Sequence, residues 1–263
     1  MKEARSVLIL AGGKGLRLRP HADLLPKSLV PIGDMPVIWH IMKMYSASGI
    51  RRFIIALGYK GDMIVQWFER YRVRLCDSTL NMDGSPVIFH DRLSADERDW
   101  RITFAHTGED TETAGRMLRA SRYIEDDHFF ATYGDGLSSV DVSAVARAHM
   151  ESELPATMLS VRCPSRFGVV ESKLGRATRF EEKPHTDIRI NGGFFVFHRS
   201  IFDRIEGDHS ILESDVLEPM AREGRLGVYE YDGFWHCLDT QKDLIILERL
   251  WSKGDVPWRC RQA

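Results

Sequence analysis

The stretch VLILAGGKGLRLRP, residues 7–20, combines residue types that bind phosphate groups. Five apolar residues suit a buried strand, and three glycines and the cations Lys14, Arg17 and Arg19 follow them. Glycine has no Cβ, so its backbone N–H groups approach a phosphate closely, and nearby cations offset the phosphate charge. The same residues also fit an ordinary tight turn with solvated charges, so the stretch alone does not decide between the two.

Two well-known phosphate-binding patterns fit this stretch poorly. A Walker A loop has the form G-x-x-x-x-G-K-[ST], and no such spacing occurs around Lys14. A dinucleotide-binding loop has the form G-x-G-x-x-G, but after Gly13 and Gly15 the third glycine is replaced by Leu18. The segments that follow must therefore decide what this stretch binds.

Strand and helix patterns alternate through the first half of the chain. SVLIL has the continuous apolar character of a central buried strand, and residues 36–49 place apolar side chains on one face of a helix. Pro36 suits the first turn of that helix and Gly49 its C-terminal cap. A second unit has a strand at 53–57 and a helix at 62–71. These units predict a Rossmann-like three-layer α/β fold with a mainly parallel, mixed central sheet and small insertions.

Residues 72–101 interrupt this alternation, and we expect an inserted loop or hairpin there. Further strands are expected at ITFA, FFATY, ATMLSV and GFFVF. Helices are expected at 141–150, near 213–222 and in the amphipathic segment TQKDLIILERLWSKG. No repeat or flexible linker divides the chain, so we expect a single domain over residues 1–263.

The composition argues against several classes of function. The chain has 263 residues, 43% of them hydrophobic, and a formal net charge of −2, which gives no general attraction to nucleic acid or anionic lipid. No apolar run has the length of a membrane span or a signal segment, which favours a cytoplasmic protein. The four cysteines lie far apart, so neither a zinc site nor a disulfide framework is expected.

Motifs spread over nearly the whole chain carry a family resemblance. The opening continues as LAGGKGLRLRPHADLLPKSLVPIGDMPVI, and LGYKG, TGEDTETAGR, TYGDG, RFG, EKP, INGGFFV, GFW, DT and PW follow in this order. Together they extend from Leu10 to Trp258. The chain resembles the sugar-1-phosphate nucleotidyltransferases, most closely their glucose-1-phosphate cytidylyltransferase branch. One motif alone would be a weak signal, whereas the ordered set is specific.

The resemblance implies that a sugar 1-phosphate attacks the α-phosphorus of a nucleoside triphosphate and releases pyrophosphate. Both substrates are anions, so the site must neutralise charge and hold them in line, and it needs no side-chain nucleophile. The family pattern gives the neutralising, catalytic role to Arg17 and Lys27. It places the triphosphate against the backbone of Leu10, Ala11, Gly12, Gly13, Lys14, Gly15 and Gly134.

The cofactor that the resemblance implies is Mg²⁺, bound by Asp135 of TYGDG and Asp239 of CLDT. Mg²⁺ takes few carboxylate ligands and retains water, so two aspartates suffice. Asp135 follows the apolar run FFATY, where open α/β sheets bind ligands, although an aspartate between glycines is also a common turn residue. Taken alone, Asp239 fits the N-cap of the helix that follows it, and only the family pattern makes it a metal ligand.

The sugar 1-phosphate needs hydrogen bonds to its hydroxyl groups and a cation for its phosphate. The resemblance assigns this binding to Gly168, Glu182, Lys183 and Asn191. An exposed charged turn is the alternative for the EEKP segment, and a hairpin turn is the alternative for INGG. The order and spacing of these motifs relative to the two aspartates favour the sugar site.

The base is expected near Thr111 and Arg116, in the family's nucleotide-contact segment. Cytosine offers an amino donor and two acceptors, and these side chains are candidate donors to the acceptors. A plain helix start is the alternative for DTETAGR. The sequence departs from the family pattern at Leu16, where threonine is usual, and in LPKSLVPI, which is closer to the thymidylyl and uridylyl branch. It also adds acidic residues beside the base site: Glu109, Asp110 and Glu112.

We favour CTP and glucose 1-phosphate as substrates. A uridylyl- or thymidylyltransferase acting on another sugar 1-phosphate is one alternative, and a nucleotide-sugar binding protein without catalysis is another. A metal-dependent glycosyltransferase usually has a D-x-D pair, which GDG does not supply.

In the family pattern, each substrate binds mainly to one part of the chain. We expect residues 1–140 to bind mainly the nucleotide and residues 141–263 mainly the sugar phosphate. Members of the family assemble as homo-oligomers, so we expect one here, a hexamer being one candidate, with subunit contacts through the insert at 72–101. No nucleic acid or membrane partner is expected.

Overall fold

The structure is a computed structural model that describes residues 4–15, 24–90, 94–164, 168–182 and 185–259. Its strands are β1 (Ser6–Ala11), β2 (Pro31–Ile32), β3 (Met35–Pro36), β4 (Arg52–Leu57), β5 (Asp77–Thr79), β6 (Ile88–His90), β7 (Arg101–His106), β8 (His128–Tyr133), β9 (Gly136–Ser138), β10 (Ala156–Pro164), β11 (Val169–Lys173), β12 (Arg176–Glu181), β13 (His185–His198), β14 (Leu226–Tyr231) and β15 (Trp235–Cys237). Its α-helices are α1 (Val37–Ala47), α2 (Gly61–Glu69), α3 (Tyr71–Leu75), α4 (Ala95–Arg98), α5 (Thr113–Ala120), α6 (Val142–Ser152), α7 (Glu218–Arg222) and α8 (Gln241–Ser252).

Seven of these strands form the central sheet, in the order β14-β10-β13-β8-β1-β4-β7. Strand β13 is antiparallel to both of its neighbours, and the other neighbouring pairs are parallel. Leu10 of β1 lies in register with Ala56 of β4 and Tyr133 of β8, so three strands end together at one edge of the sheet. The predicted mixed, mainly parallel sheet is confirmed, and this is the edge at which such sheets bind ligands.

The sheet is buried on both faces. Val7 and Ile9 of β1 belong to one hydrophobic cluster and Leu8 and Leu10 to another, because successive side chains of a strand face opposite sides. SVLIL is apolar throughout for this reason. Helices α1, α6 and α8 contribute side chains to the first cluster, and α5 and α7 contribute to the second. Within the described ranges, no helix combines the length and apolar character needed to cross a bilayer.

Several predicted boundaries are wrong. The helix predicted over 62–71 is two helices, α2 and α3, which are separated at Arg70. The helix predicted near 213–222 begins as a π-helical turn over Leu212–Leu217, and only α7 is α-helical. Strand β13 extends well before GFFVF. Strand β14 and the β11–β12 hairpin are additional elements; every residue of that hairpin is exposed, so it lacks the alternation of a half-buried strand.

The insert is a small hairpin, as expected. Strands β5 and β6 pair antiparallel within it, and α3 and α4 flank them. Its apolar side chains include Leu80, Met82 and Ile88, which are 65%, 91% and 54% exposed. The hairpin therefore adds little to the core.

A buried histidine of α1 anchors the C-terminal segment. His40 is 1% exposed and lies among the rings of Trp39, Trp251 and Trp258. Its Nδ1 accepts a hydrogen bond from the Trp258 indole at 3.2 Å, and its Nε2 donates to the Ile32 carbonyl oxygen at 3.0 Å. Burial lowers the pKa of His40 to about 4, so the ring is neutral at pH 7.

This burial makes the stability of the fold depend on pH. Between the ordinary histidine pKa of 6.5 and the folded pKa of about 4, the unfolded chain binds more protons at His40 than the folded chain. The contribution of His40 to the free energy of unfolding therefore falls as the pH falls through this window and is constant above it. We expect His40→Gln, measured by urea unfolding between pH 7 and about pH 4.5, to lose less stability on acidification than the wild type.

A histidine at the surface provides the control for this measurement. His106 is exposed, and His106→Asn should keep the pH dependence of the wild type. The same loss of stability on acidification in His40→Gln as in the wild type would show that the buried ring is not its source.

Candidate active site

A cleft of about 880 Å³ opens at the carboxyl edge of the sheet. It brings together the predicted nucleotide, metal and catalytic residues that the structure describes: Leu10, Ala11, Gly12, Gly13, Lys14, Gly15, Lys27, Thr111, Arg116, Gly134, Asp135 and Asp239. Further lining residues are Ser28, Glu109, Asp110, Glu112, Thr113 and Tyr133. The predicted Arg17 and the unusual Leu16 lie outside the described residues.

The glycine-rich turn after β1 forms one wall of the cleft. The Gly134 N–H donates to the Leu10 carbonyl oxygen at 3.0 Å, which joins the ends of β1 and β8. Gly15 has a φ of +59°, and a Cβ on it would lie 3.0 Å from the Cβ of Lys27. A side chain at Gly15 would therefore be strained and crowded. The bare backbone of this turn lies directly beside Lys27.

Arg116 lies beneath this wall and is 5% exposed. Its Nη1 and Nη2 atoms donate hydrogen bonds to the carbonyl oxygens of Gly12, Leu57, Gly108 and Glu109 and to the hydroxyl of Thr107. These acceptors stand at or just beyond the ends of β1, β4 and β7, so one guanidinium joins three neighbouring strand ends. Burial lowers the pKa of Arg116, but a guanidinium keeps its charge at pH 7. The sequence suggested a donor to the base, whereas these donors face the backbone.

Two glycines leave the space for this guanidinium. A Cβ on Gly12 would lie 2.4 Å from Cζ of Arg116. A Cβ on Gly58 would lie 2.4 Å from Nη1 of Arg116 and 2.7 Å from the Gly12 carbonyl oxygen. Either side chain would displace the guanidinium or the turn. Gly58 was not selected from the sequence, and its place in the LGYKG motif was the only signal.

Lys27 joins the two aspartates that were predicted to bind metal. Its Nζ lies 2.6 Å from Oδ2 of Asp135 and 3.0 Å from Oδ1 of Asp239, and the three side chains are 15%, 22% and 7% exposed. Burial acts to lower the pKa of Lys27, but the Asp135 and Asp239 carboxylates outweigh it and the pKa is raised. Two carboxylates from distant parts of the chain therefore converge on one cation.

A two-stranded ribbon brings these aspartates together. Strands β9 and β15 pair antiparallel with Gly136 opposite Cys237, and the Leu238 N–H donates to the Asp135 carbonyl oxygen at 2.9 Å. Cys237, which the sequence analysis did not select, lies beside Asp135. Burial, followed by the charge of Asp135, raises the pKa of this thiol, so it is neutral at pH 7.

The helix-cap alternative for Asp239 is wrong. Helix α8 is capped by Thr240, whose side chain and that of Asp243 form a capping box. The Asp243 carboxylate also accepts a hydrogen bond from the backbone N–H of Asp239 at 3.2 Å. The Asp239 side chain faces Lys27 instead of the helix.

Tyr133, the last residue of β8, lines the cleft and was also not selected. Its hydroxyl donates a hydrogen bond to the Glu213 carboxylate. Burial, followed by the charge of Glu213, raises the pKa of Tyr133, so the phenol keeps its proton at pH 7. The place of Tyr133 in the TYGDG motif was the sequence signal that could have identified it.

The predicted sugar residues lie in two places, and the first is the base of the β11–β12 hairpin. Gly168 and Glu182 flank its open end, where Val169 pairs with Glu181. A Cβ on Gly168 would lie 3.0 Å from Oε2 of Glu182, so these two residues are adjacent. They are not among the described residues that line the cleft. The predicted Lys183 lies outside the described residues.

The second place is an irregular point of β13, where Asn191 is found. The hairpin-turn alternative for INGG is wrong, because these residues lie within the strand and the register with β10 shifts beside them. The Gly193 N–H donates to Oδ1 of Asn191 at 2.8 Å, and Gly193 has a φ of +76°. The indole of Trp235 donates to the Gly192 carbonyl oxygen at 2.7 Å. The bulge places Asn191 beside Tyr133.

The opposite lip of the cleft is the segment before α5. Thr111 is 8% exposed and precedes Glu112, the N-cap of α5, so the segment is both a helix start and a wall of the cleft. The Lys14 Nζ lies 3.5 Å from the Asp110 carboxylate across the cleft mouth, and both side chains are largely exposed. The added acid Asp110 is therefore paired with a cation of the glycine-rich turn.

A family model described as nucleotidyl transferase matches residues 6–249, which contain all of the cleft residues. The chain belongs to the nucleotidyl transferase family. The resemblance drawn from the ordered motifs is confirmed.

The names of relatives of this nucleotidyl transferase specify different bases and different sugars. The chain is 40% identical over 255 residues to the glucose-1-phosphate cytidylyltransferase of Salmonella typhimurium, and the match covers 96% of this chain and 98% of that protein. It is 29% identical over 246 residues to the mannose-1-phosphate guanylyltransferase catalytic subunit beta of Xenopus tropicalis, which covers 90% of this chain and 62% of that protein.

Solved structures share the fold of this nucleotidyl transferase. HddC from Yersinia pseudotuberculosis matches with a TM-score of 0.70 and 20% identity, over 94% of this chain and 99% of that chain. A UDP-glucose pyrophosphorylase complexed with UDP-glucose matches with a TM-score of 0.67 and 14% identity, over 95% and 99%. The predicted Rossmann-like α/β fold is confirmed.

We expect Gly58→Ala to disturb the cleft of the nucleotidyl transferase from beneath. The added Cβ meets the Arg116 guanidinium, and overpacking of this kind costs about 1–3 kcal/mol. The free energy of unfolding should fall, and the KM for the nucleoside triphosphate should rise because the glycine-rich turn shifts. Urea unfolding and pyrophosphate-release kinetics measure the two effects.

The matched control adds the same methyl group where there is room. A Cβ on Gly207 meets no atom within 4 Å, so Gly207→Ala should behave as the wild type. Arg116→Lys keeps the charge but replaces the planar donors, and it should raise the same KM. A wild-type triphosphate KM in both Gly58→Ala and Arg116→Lys would mean that the guanidinium does not position the turn.

Proposed function

We propose that this nucleotidyl transferase condenses CTP with glucose 1-phosphate to give CDP-glucose and pyrophosphate. The observation that carries the proposal is Lys27 held between two carboxylates in a cleft walled by glycine backbone. Nucleotidyl transfer needs bare amides, a cation and acids that can hold a metal ion, and the cleft brings glycine amides, Lys27 and two carboxylates together. The choice of CTP and glucose 1-phosphate is supported by the 40% identity to a glucose-1-phosphate cytidylyltransferase.

In the proposed reaction, an oxygen of the sugar 1-phosphate forms a bond to the α-phosphorus of CTP. The bond from that phosphorus to the oxygen that bridges to the β-phosphorus breaks, and pyrophosphate leaves. The attacking phosphate is already an anion, so no general base is required. The work of the protein is to hold two anions in line and to offset their charge. We assign the positive charge that offsets the two anions to Lys27 and to Arg17.

The proposed cofactor is Mg²⁺, held by Asp135 and Asp239. The donor set fits, because two carboxylates converge on the position taken by the Lys27 ammonium. In the described part of the chain, no group of three or more His, Cys, Asp or Glu side chains is arranged to hold a metal. Mg²⁺ keeps several waters and needs few protein ligands, so two carboxylates are enough to hold it. When bound, Mg²⁺ would offset negative charge on the phosphates.

We assign the two substrates to the two parts of the chain. The triphosphate lies along the amides of residues 10–15 and 134, and Thr111 donates to the cytosine. The sugar binds at Asn191, at Gly168 and Glu182 beside the β11–β12 hairpin, and at Lys183. Residues 1–140 thus bind mainly the nucleotide and residues 141–263 mainly the sugar phosphate.

We further propose that the protein is cytoplasmic and forms a homo-oligomer through the insert at 72–101. The exposed apolar side chains Leu80, Met82 and Ile88 support a contact surface there.

A pyrophosphate-release assay tests the substrates. CTP, UTP, dTTP, ATP and GTP are each incubated with glucose 1-phosphate, with mannose 1-phosphate and with no sugar phosphate, in the presence and absence of Mg²⁺. We expect Mg²⁺-dependent release from CTP only when a sugar 1-phosphate is present, and the fastest release with glucose 1-phosphate. Faster release from UTP or dTTP would make the protein a uridylyl- or thymidylyltransferase. No release with any pair would leave a binding protein without catalysis.

Asp135→Asn should remove most of the turnover and leave the fold intact. The change keeps the size of the side chain and removes one of the two charges that face Lys27. Electrostatic groups at a reacting centre are worth about 10²–10³-fold in kcat. Pyrophosphate release gives kcat, and circular dichroism checks the fold. Asp62→Asn, at an exposed position in the first turn of α2, is the control. A wild-type kcat would remove Asp135 from the site.

A further inference from the structure

The Lys27 ammonium fills the space between the two carboxylates that are proposed to hold Mg²⁺. Its Nζ donates hydrogen bonds of 2.6 Å to Oδ2 of Asp135 and 3.0 Å to Oδ1 of Asp239. A metal ion held by the same two oxygen atoms would need the space that the ammonium takes, and two cations this close together repel each other strongly. The lysine and a divalent ion therefore exclude each other from this position.

The charge of these three side chains favours a divalent ion once the lysine has moved. Two carboxylates and one ammonium leave one net negative charge, and none of the three side chains is more than 22% exposed, so water and salt screen that charge only in part. A divalent ion would cancel the charge of the two carboxylates. The ammonium itself needs another anion before it can leave, because a partly buried cation without a partner is costly.

The position of the Lys27 stem indicates where that anion binds. A Cβ on Gly15 would lie 3.0 Å from Cβ of Lys27 and 3.6 Å from its Cγ and Cδ, so the stem lies along the glycine-rich turn. The stem is flexible, and the ammonium has three N–H donors. Within the described residues the two carboxylates use two of these donors, which leaves the third for a phosphate group at the turn. A triphosphate on this turn can therefore draw the ammonium from the acids.

We propose that Lys27 occupies the metal position until the triphosphate binds, and that it thereby couples the binding of a divalent ion to the binding of the nucleotide. Without a nucleotide the ammonium holds both carboxylates, and the affinity for the metal is low. With the triphosphate bound, the ammonium pairs with phosphate, the carboxylates become available and the affinity for the metal rises. The metal and the triphosphate as ligands rest on the proposed function, whereas the competition between Lys27 and a divalent ion is measured without catalysis.

Lys27→Met tests the competition, because it removes the ammonium and keeps an unbranched stem. The probe is Mn²⁺, followed by electron paramagnetic resonance without nucleotide. We expect Mn²⁺ to bind this variant at least about tenfold more tightly than the wild type, as when one charge-assisted hydrogen bond no longer has to be broken. Lys27→Arg keeps the charge and should match the wild type. Lys14→Met removes a cation of the same cleft that pairs with Asp110 instead, and it should also match the wild type.

Thermal unfolding gives a second measurement of the same competition. Lys27→Met leaves two partly buried carboxylates close together with no cation between them, so its melting temperature should fall. A ligand of the folded state raises the melting temperature in proportion to its affinity, so Mn²⁺ should stabilise Lys27→Met more than the wild type. An equal rise in the two proteins would contradict the competition.

The coupling is measured with α,β-methylene-CTP, in which a methylene group replaces the oxygen whose bond to the α-phosphorus breaks in the proposed reaction. The affinity for Mn²⁺ is compared with and without saturating analogue and is corrected for Mn²⁺ that the free analogue binds. The gain in affinity should be larger in the wild type than in Lys27→Met, because only the wild type has a lysine to displace. The same gain in both would show that Lys27 does not couple the two ligands.

Asp239→Asn separates this proposal from the proposed function. It removes one of the two carboxylates, and in the Lys27→Met background it should abolish the tight binding of Mn²⁺. Equal Mn²⁺ affinities in the wild type and Lys27→Met, both lost on Asp239→Asn, would overturn the part played by Lys27 and leave the metal site standing. A Mn²⁺ affinity that Asp239→Asn does not change would overturn the metal site as well.

Discussion

One buried cation, Arg116, joins the glycine-rich turn to the two neighbouring strand ends at one side of the cleft. Strands β1, β4 and β7 end side by side, and the loops that follow them diverge around the substrate space. A guanidinium offers five donors in one plane, so a single side chain from α5 can bond carbonyl oxygens of all three loops at once. A flat group between two turns leaves no room for side chains on either of them. The glycines at 12 and 58 therefore leave the space that one arginine needs, and the wall formed by the glycine-rich turn takes its shape from a residue beneath it.

A second cation, Lys27, lies at the part of the cleft that contains Asp135 and Asp239, and it is held differently from Arg116. Asp135 and Asp239 are fixed by backbone pairing of β9 with β15, while Lys27 reaches them on a flexible stem from a 3₁₀ turn. Two partly buried carboxylates at close range would repel each other without a cation between them. The lysine therefore stabilises the arrangement that the fold imposes on the two acids.

The parts of the molecule that local pattern determines were predictable, and those that depend on distant partners were not. SVLIL indicated a strand buried on both faces, and FFATY placed Asp135 at a strand end, where the structure has it. Asp239 taken alone fitted the cap of α8, although T-x-x-D at 240–243 carries the capping-box pattern and Thr240 caps the helix. The bulge at Asn191 depends on the Trp235 indole and on the register with β10, which no local pattern contains. The part played by Arg116 was missed because its acceptors come from three segments that only the sheet brings together.

TGEDTETAGR shows how one motif can both line a cleft and carry the contacts that hold that wall in place. Gly115 lets α5 approach the backbone of Asp208, whose carbonyl oxygen would lie 2.6 Å from a Cβ there. The Glu112 N–H donates to the same oxygen at 2.8 Å, which fixes the start of α5 against Asp208. The Arg116 guanidinium donates to the Gly12 carbonyl oxygen, which fixes the same helix against the glycine-rich turn. Thr111 and Thr113 stand between these two anchors. Hydroxyl groups select a substrate only when their positions are rigid, and that rigidity needs close packing of the residues around them. The motif therefore combines residues that line the cleft with the contacts that hold them in place, which is why its spacing carries more information about the site than any single residue in it.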